Sequence, residues 1–221
     1  MNIKTLIFCD FDGTVAERDV GYHLFRHFSD GRNDELLPDW KAGRISSREI
    51  LLREAEMVGA PAQDILDYLD RFDLDPGFAD FVDLCEKNGS LPIIVSEGMD
   101  FYIQRLLRKQ GLDHLSVLSN IGHLENNGIR IEFPYVNHSC TRCGSCKGER
   151  IAEIRAQCGG AVRTVFVGDG YSDACAAREA DLLFAKKDLE KLCRERDIPY
   201  VGFSNFFEVA DHLTNAGILK H

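Results

Sequence analysis

No uninterrupted apolar run in this 221-residue chain approaches the roughly 18 residues needed to cross a bilayer. The opening stretch reaches two aspartates, Asp10 and Asp12, too early to contain the apolar segment of a secretory leader, so a cytoplasmic address is expected. Positive charge is also scarce: 26 Lys and Arg face 36 Asp and Glu, a net charge of −10. A field of that sign repels nucleic-acid backbones and anionic lipid surfaces, so neither partner is expected. An anionic small molecule would need concentrated local positive charge against this background. Repeats, low-complexity tracts and flexible linkers are missing too, which excludes solenoids and tethered arrays. What is present is apolar: 44% hydrophobic and 10% aromatic residues suffice for a real core, excluding disordered, collagen-like and disulfide-stapled classes. The length suits one substantial domain with an elaboration.

The β-favouring run Lys4 to Cys9 ends in Asp-Phe-Asp-Gly-Thr, and the runs Leu91 to Val95 and Val162 to Val167 also stop at polar, glycine-bearing turns. Helical spacing follows in Met99 to Lys109, Gly148 to Gln157 and Tyr171 to Ala180, and Leu182 to Ala185 followed by Asp188 to Arg196 repeats the order. Alternation of this kind predicts an α/β protein, a Rossmann-like parallel sheet with helices on both faces. Between Ala16 and Asp75 the rhythm breaks into helices alone: Val20 to Phe28, Ser47 to Val58 and Ala62 to Phe72, with Ser46 or Ser47 as a cap for the second. A helical insertion after the first strand is the simplest reading. Gly122 to Phe133, centred on Asn126, Asn127 and Gly128, reads as a β-hairpin.

In open α/β sheets ligands bind beyond the carboxyl ends of the strands, and the chemistry-bearing residues fall there. Asp10 and Asp12, two apart, can present both carboxylates on one side, with Gly13 for a tight turn and Thr14 for a hydroxyl. Ser96 ends the second strand, Lys147 opens a helix, and Asp169 and Asp173 flank a glycine turn after the third. Singly, each is compatible with a capped turn or a solvated charge. Together, in strand-end order on one sheet edge, they point to a shared site.

This set resembles the haloacid dehalogenase superfamily of phosphotransferases, carried by Asp-x-Asp-Gly-Thr at Asp10 to Thr14, Ser96, Lys147, and Gly-Asp-Gly-x-x-Asp at Gly168 to Asp173. The insertion looks like the small helical cap of the phosphoserine-phosphatase-like branch, which implies a core of residues 1–15 and 76–221 and a cap of residues 16–75. The block ending Cys-Gly-Ser-Cys-Lys and the segment Ala180 to Ala185 resemble the methionine-salvage phosphatases acting on 2-hydroxy-3-keto-5-methylthiopentenyl-1-phosphate. The phosphocholine phosphatases share a similar cysteine before the lysine. The resemblance implies Mg²⁺-dependent hydrolysis of a small phosphorylated metabolite through an aspartyl-phosphate. Asp10 is then the nucleophile and Asp12 the general acid and base. Thr14, Ser96 and Lys147 contact the phosphate, Asp10, Asp169 and the backbone carbonyl of Asp12 bind the metal, and Asp173 holds Lys147 or a metal-bound water. The residues agree: converging carboxylates and a phosphate need a hard cation, and an all-oxygen donor set suits Mg²⁺. A silent phosphate-binding protein, or transfer to an acceptor other than water, remains open at this point.

Two further expectations concern the surroundings. Cys140, Cys143 and Cys146, with His138 just before, could close a tetrahedral Zn²⁺ site, while Cys9, Cys85, Cys158, Cys175 and Cys193 read as scattered core residues in a reduced compartment. For the leaving group, Asp19, His23, Arg44 and Arg53 are cap candidates, with Asp19 and Arg53 nearest the positions that read an amino-acid head in the phosphoserine branch. Glu97, where many relatives carry glycine, either turns toward a cationic substrate group or points away.

Overall fold

The computed structural model describes residues 4–125, 127–136, 140–159 and 161–220. Seven strands, β1 (Lys4–Cys9), β2 (Pro92–Met99), β3 (Ser116–Glu125), β4 (Gly128–Glu132), β5 (Val162–Gly168), β6 (Leu182–Ala185) and β7 (Val201–Gly202), form one sheet in the order β4-β3-β2-β1-β5-β6-β7. Every pairing is parallel except β3 with β4. Because β1 is central and covered on both sides, Leu6 to Cys9 are apolar without alternation. Ile7 and Cys9 enter one core, and Leu6 and Phe8 enter the other.

Ten helices complete the molecule among the described residues: α1 (Val20–Phe28), α2 (Leu37–Lys41), α3 (Ser47–Glu56), α4 (Ala62–Leu69), α5 (Phe78–Lys87), α6 (Asp100–Lys109), α7 (Lys147–Gln157), α8 (Ala176–Glu179), α9 (Lys187–Glu195) and α10 (Phe206–Asn215). α5, α6 and α10 contribute Phe78, Ile103 and Val209 to the core on the Ile7 side; α7, α8 and α9 contribute Ile151, Ala177 and Leu189 to the opposite core. The expected two-faced α/β arrangement is what the chain adopts. None of the described helices is long and apolar enough to cross a membrane.

Helices α1 to α4 lie between β1 and β2 in the chain. The backbone leaves and re-enters side by side: Ala16 and Leu74 form an antiparallel bridge, and the Asp75 N–H donates to the Val15 carbonyl at 2.8 Å. Ser46, not Ser47, caps α3, its hydroxyl accepting from the Glu49 N–H at 3.0 Å. Val20, Phe25, Ile65 and Leu69 from this insertion join the core on the Ile7 side.

Three local expectations need correction. β3 starts six residues before the expected hairpin because it changes partner: Ser116, Val117 and Leu118 pair with β2, and Ile121 to Glu125 pair with β4. β2 runs past Val95 to Met99, with a register irregularity between these two residues. Tyr171 to Ala180 splits into a 3₁₀ turn, Tyr171–Ala174, and α8, the turn returning the Asp173 carboxylate to accept from the Asp169 and Gly170 N–H groups.

Candidate active site

The carboxyl ends of β1, β2 and β5 are neighbours at the middle of the sheet, and each delivers a polar residue to one place. Asp10 follows β1 and is 3% exposed; its Oδ1 accepts from the Phe11 N–H at 2.7 Å and lies 2.6 Å from Lys147 Nζ. Lys147, the first residue of α7 and 2% exposed, also reaches Asp173 Oδ1 at 2.6 Å and Ser172 Oγ at 3.3 Å. Asp173 is fully buried, and its other oxygen accepts from the N–H groups of Asp169 and Gly170 at 2.9 and 3.0 Å. One ammonium group is thus held between two carboxylates, with a third close by.

Oxygen atoms of Asp10, Asp169 and Asp173 lie within 4.8 Å of one another. Burial first, and then repulsion from Asp173, pushes the carboxyls of both Asp10 and Asp169 above the usual range, against the attraction of Lys147 and, at Asp169, Lys187. For Lys147 burial opposes the charge, but Asp10 and Asp173 outweigh it and hold the ammonium above its ordinary value. Burial is the larger cause of the rise, and the repulsion among the carboxylates is the part that a further cation would answer.

Asp169 draws other polar groups. Lys187 Nζ donates to Asp169 Oδ2 at 2.9 Å and to the Gly13 carbonyl at 2.8 Å, and the Thr14 hydroxyl donates to Asp169 Oδ1 at 3.3 Å. Gly13 has φ +73°, and a Cβ there would collide with the Asp169 carboxylate, so only glycine lets this turn approach so closely. Thr14 is fully buried, with its hydroxyl on Asp169. Ser96 is 1% exposed, and its Oγ accepts from the Gly98 N–H at 2.9 Å.

Asp12 occupies a different position. Its Oδ1 accepts from the N–H groups of Val20 and Gly21 at 2.8 and 3.1 Å, at the start of α1, and its Oδ2 accepts from the Tyr102 hydroxyl at 2.6 Å. Burial raises its pKa, partly offset by these bonds.

A cavity of about 430 Å³ opens above this floor, with Asp10, Asp12, Ser96, Lys147 and Asp169 among its lining. Its upper wall comes from the insertion: Phe25, Leu37, Trp40, Ile50 and Leu51 supply apolar surface, and Asp19 and Glu54 supply carboxyls. Glu97 lines the cavity too. Its Oε1 accepts from the Gly144 N–H at 2.8 Å, and burial raises its pKa. Glu54 is 5% exposed, accepts from Asn33 Nδ2 at 3.2 Å, and is pushed up to about 8, chiefly by burial.

Of the four cap candidates only Asp19 reaches the cavity. Arg53 pairs with Glu49 one turn back on α3, Arg44 pairs with Asp39, and His23 contacts Arg18, all three away from the lining. Lys187, Tyr102, Glu54 and Trp40 escaped the sequence reading. Only Lys187 carried a signal, since it follows the carboxyl end of β6.

His138, one of the four expected zinc ligands, lies outside the described residues. The loop thiols Cys140, Cys143 and Cys146 do come together, but the fourth group beside them is Cys175, which is therefore not a scattered core residue.

The model of the haloacid dehalogenase-like hydrolases matches residues 7–178. The chain belongs to this family. A 2-hydroxy-3-keto-5-methylthiopentenyl-1-phosphate phosphatase from Geobacillus thermodenitrificans (strain NG80-2) is 31% identical over 227 residues, covering 99% of this chain and 100% of that protein. A phosphatase of the same name from Exiguobacterium sibiricum is 33% identical over 218 residues, covering 94% and 95%. Among solved structures, a phospho-aspartyl intermediate analogue of phosphoserine phosphatase superposes with a TM-score of 0.75 at 19% identity, covering 95% of this chain and 99% of the other. A substrate-bound phosphoserine phosphatase complex gives 0.75 at 18%, covering 96% and 99%. At such identities these structures bear on the haloacid dehalogenase-like fold alone.

Proposed function

We propose that this haloacid dehalogenase-like hydrolase is a phosphomonoesterase whose leaving group is small, largely apolar and uncharged, of the 2-hydroxy-3-keto-5-methylthiopentenyl type. The observation that carries the reading is the pairing of a charged floor with an apolar roof: Asp10, Lys147 and Asp173 within 2.6 Å contacts below, and Phe25, Trp40 and Ile50 above.

Asp10 is the nucleophile. One of its carboxylate oxygens attacks phosphorus, the ester P–O bond breaks, and Asp12 gives its proton to the leaving oxygen. Asp12 then takes a proton from water as that water attacks the aspartyl-phosphate, releasing inorganic phosphate and restoring both carboxyls. Tyr102 orients Asp12 through its 2.6 Å hydrogen bond. Lys147 neutralises charge on the transferring group, with Ser96 beside it, and Asp173 fixes the lysine. Thr14 acts through Asp169. The carboxylates of Asp10 and Asp169, whose oxygens lie within 4.8 Å of one another, would hold Mg²⁺ together with the Asp12 carbonyl, an all-oxygen donor set that suits it. That ion would supply charge neutralisation at the phosphoryl group. Residues 16–75 act as the cap that selects the leaving group.

The roof decides among substrates. A carboxylate-bearing head such as phosphoserine calls for a cationic partner held in the wall; the candidate Arg53 is engaged with Glu49 outside the cavity, and Lys41, the insertion's cation on the lining, is solvent-exposed. A cationic head calls for free negative charge, yet burial pushes Glu54 up to about 8 and Asp19 up to about 7, and Glu97 is tied to Gly144. A protonated Glu54 is instead a hydrogen-bond donor suited to a keto oxygen. Steady-state kinetics with added Mg²⁺ on 2-hydroxy-3-keto-5-methylthiopentenyl-1-phosphate, phosphoserine and phosphocholine test this. The first should lead in kcat/KM by at least about tenfold. Preference for either charged head would overturn the substrate reading, and binding without turnover of any ester would reduce the protein to a phosphate binder.

A further inference from the structure

The sulfur cluster beside Lys147 is chemically distinct from the carboxylates on the other side of that residue. The Sγ atoms of Cys140, Cys143, Cys146 and Cys175 all lie within 4.8 Å of one another, and Cys140 and Cys143 are 3.5 Å apart. A zinc ion bound to four thiolates at about 2.3 Å places its sulfurs about 3.8 Å apart along the edges of the tetrahedron. The observed spacing brackets that value. Three ligands come from one short loop with the two-residue gaps of metal-binding knuckles, and the fourth arrives from a segment 29 residues beyond Cys146, as structural zinc sites commonly draw theirs.

The backbone is built for this approach. Cys175 can reach the loop because α7 opens with Lys147-Gly148: a Cβ on Gly148 would stand 2.8 Å from the Cys175 carbonyl oxygen and 3.0 Å from its Cβ. A side chain at 148 would force this contact with Cys175 to shift.

We infer that Cys140, Cys143, Cys146 and Cys175 form a tetrahedral zinc site that locks the active-site lysine in place. Thiolates are soft ligands, so they select zinc, whereas the carboxylate cluster selects a hard cation, and the two sites do not compete for one metal. On binding, each thiol that becomes a thiolate ligand releases its proton to solvent.

The position gives the site its purpose. Cys146 is the residue before Lys147, and Cys175 is two residues after Asp173, so one ion would clamp together the two segments whose side chains meet at 2.6 Å. The same loop docks the insertion: the Ser47 N–H donates to the Arg142 carbonyl at 2.7 Å, and Arg142 Nη2 donates to the Trp40 carbonyl at 3.3 Å. Gly144 is held by Glu97 at 2.8 Å. Zinc here would fix the lysine, the turn carrying Asp173 and the docking point of the cap as one unit.

Metal analysis of the full chain, purified under reducing conditions from zinc-sufficient cells, tests the inference without reference to any substrate. About one zinc per chain is expected, and Co²⁺ substitution should give the thiolate-to-metal charge transfer and intense visible bands of a tetrahedral sulfur site. Cys175→Ser should lower zinc below about a tenth of an equivalent, while His138→Ala should leave it unchanged. Absence of zinc from wild-type protein that also fails to take it up from added Zn²⁺ would overturn the site. So would tightly held iron in its place, or zinc lost in His138→Ala but kept in Cys175→Ser. All of these outcomes are independent of which ester the enzyme hydrolyses.

Discussion

Glu54 carries a carboxyl into the wall of the cavity with one Asn33 hydrogen bond for company, and burial lifts its pKa from 4.5 to about 8. A group raised in the folded state contributes fully below its unfolded pKa and loses that contribution as pH rises through the folded value. Wild-type stability should therefore decline between pH 4.5 and about 8 on account of this residue, by an amount on the order of a few kcal/mol. Glu54→Gln keeps the acceptor for Asn33 and removes the titration. Thermal melts should find the variant equal to wild type at the acid end of that window and more stable at the alkaline end; parallel profiles would contradict the assignment. Residues of this kind were invisible in sequence, because a glutamate on an amphipathic helix ordinarily faces water. Asp10, Asp12, Ser96, Asp169 and Asp173 were legible for the opposite reason: the carboxyl ends of β1, β2 and β5 bring them to one edge, which Lys147 joins as the first residue of α7. Arg53 and Arg44 were misplaced because a helix position does not say which neighbour takes a guanidinium first, and here Glu49 and Asp39 do.

Elements were legible where one environment holds along their length. β1 lies between two parallel strands and is buried from Thr5 to Cys9, so its apolar run read correctly. β3 passes from a parallel to an antiparallel partner at its midpoint, and no single hydrophobic period describes it. At α3 the local signal was strong, since Ser46 or Ser47 stood as a cap before an apolar run, and the Ser46 hydroxyl is the one that accepts from the Glu49 N–H. Since α3 brings Ile50, Leu51 and Glu54 to the cavity, its cap matters to the roof. Ser46→Ala should destabilise the protein by about 1 kcal/mol in equilibrium denaturation, with the slope unchanged. A loss near zero would mean that packing alone holds the start of this helix.

At the scale of the molecule, a chain of net charge −10 gathers carboxylates onto one sheet edge and makes the cluster tolerable with a buried lysine between them. The parallel sheet was legible because strand and helix alternate, and the insertion was legible because that alternation stops. How the insertion packs was not, since the contacts that join it to the Cys140 to Cys146 loop link residues about a hundred positions apart. The central claim is that Asp10 takes the phosphoryl group. Enzyme mixed with isotopically labelled phosphate ester and Mg²⁺, quenched in acid and mapped by peptide, should carry the label on the peptide containing Asp10. Asp10→Asn, still folded by circular dichroism, should carry none and lose on the order of a thousand-fold or more in kcat. Label on another residue, or turnover in Asp10→Asn comparable to wild type, would contradict the account.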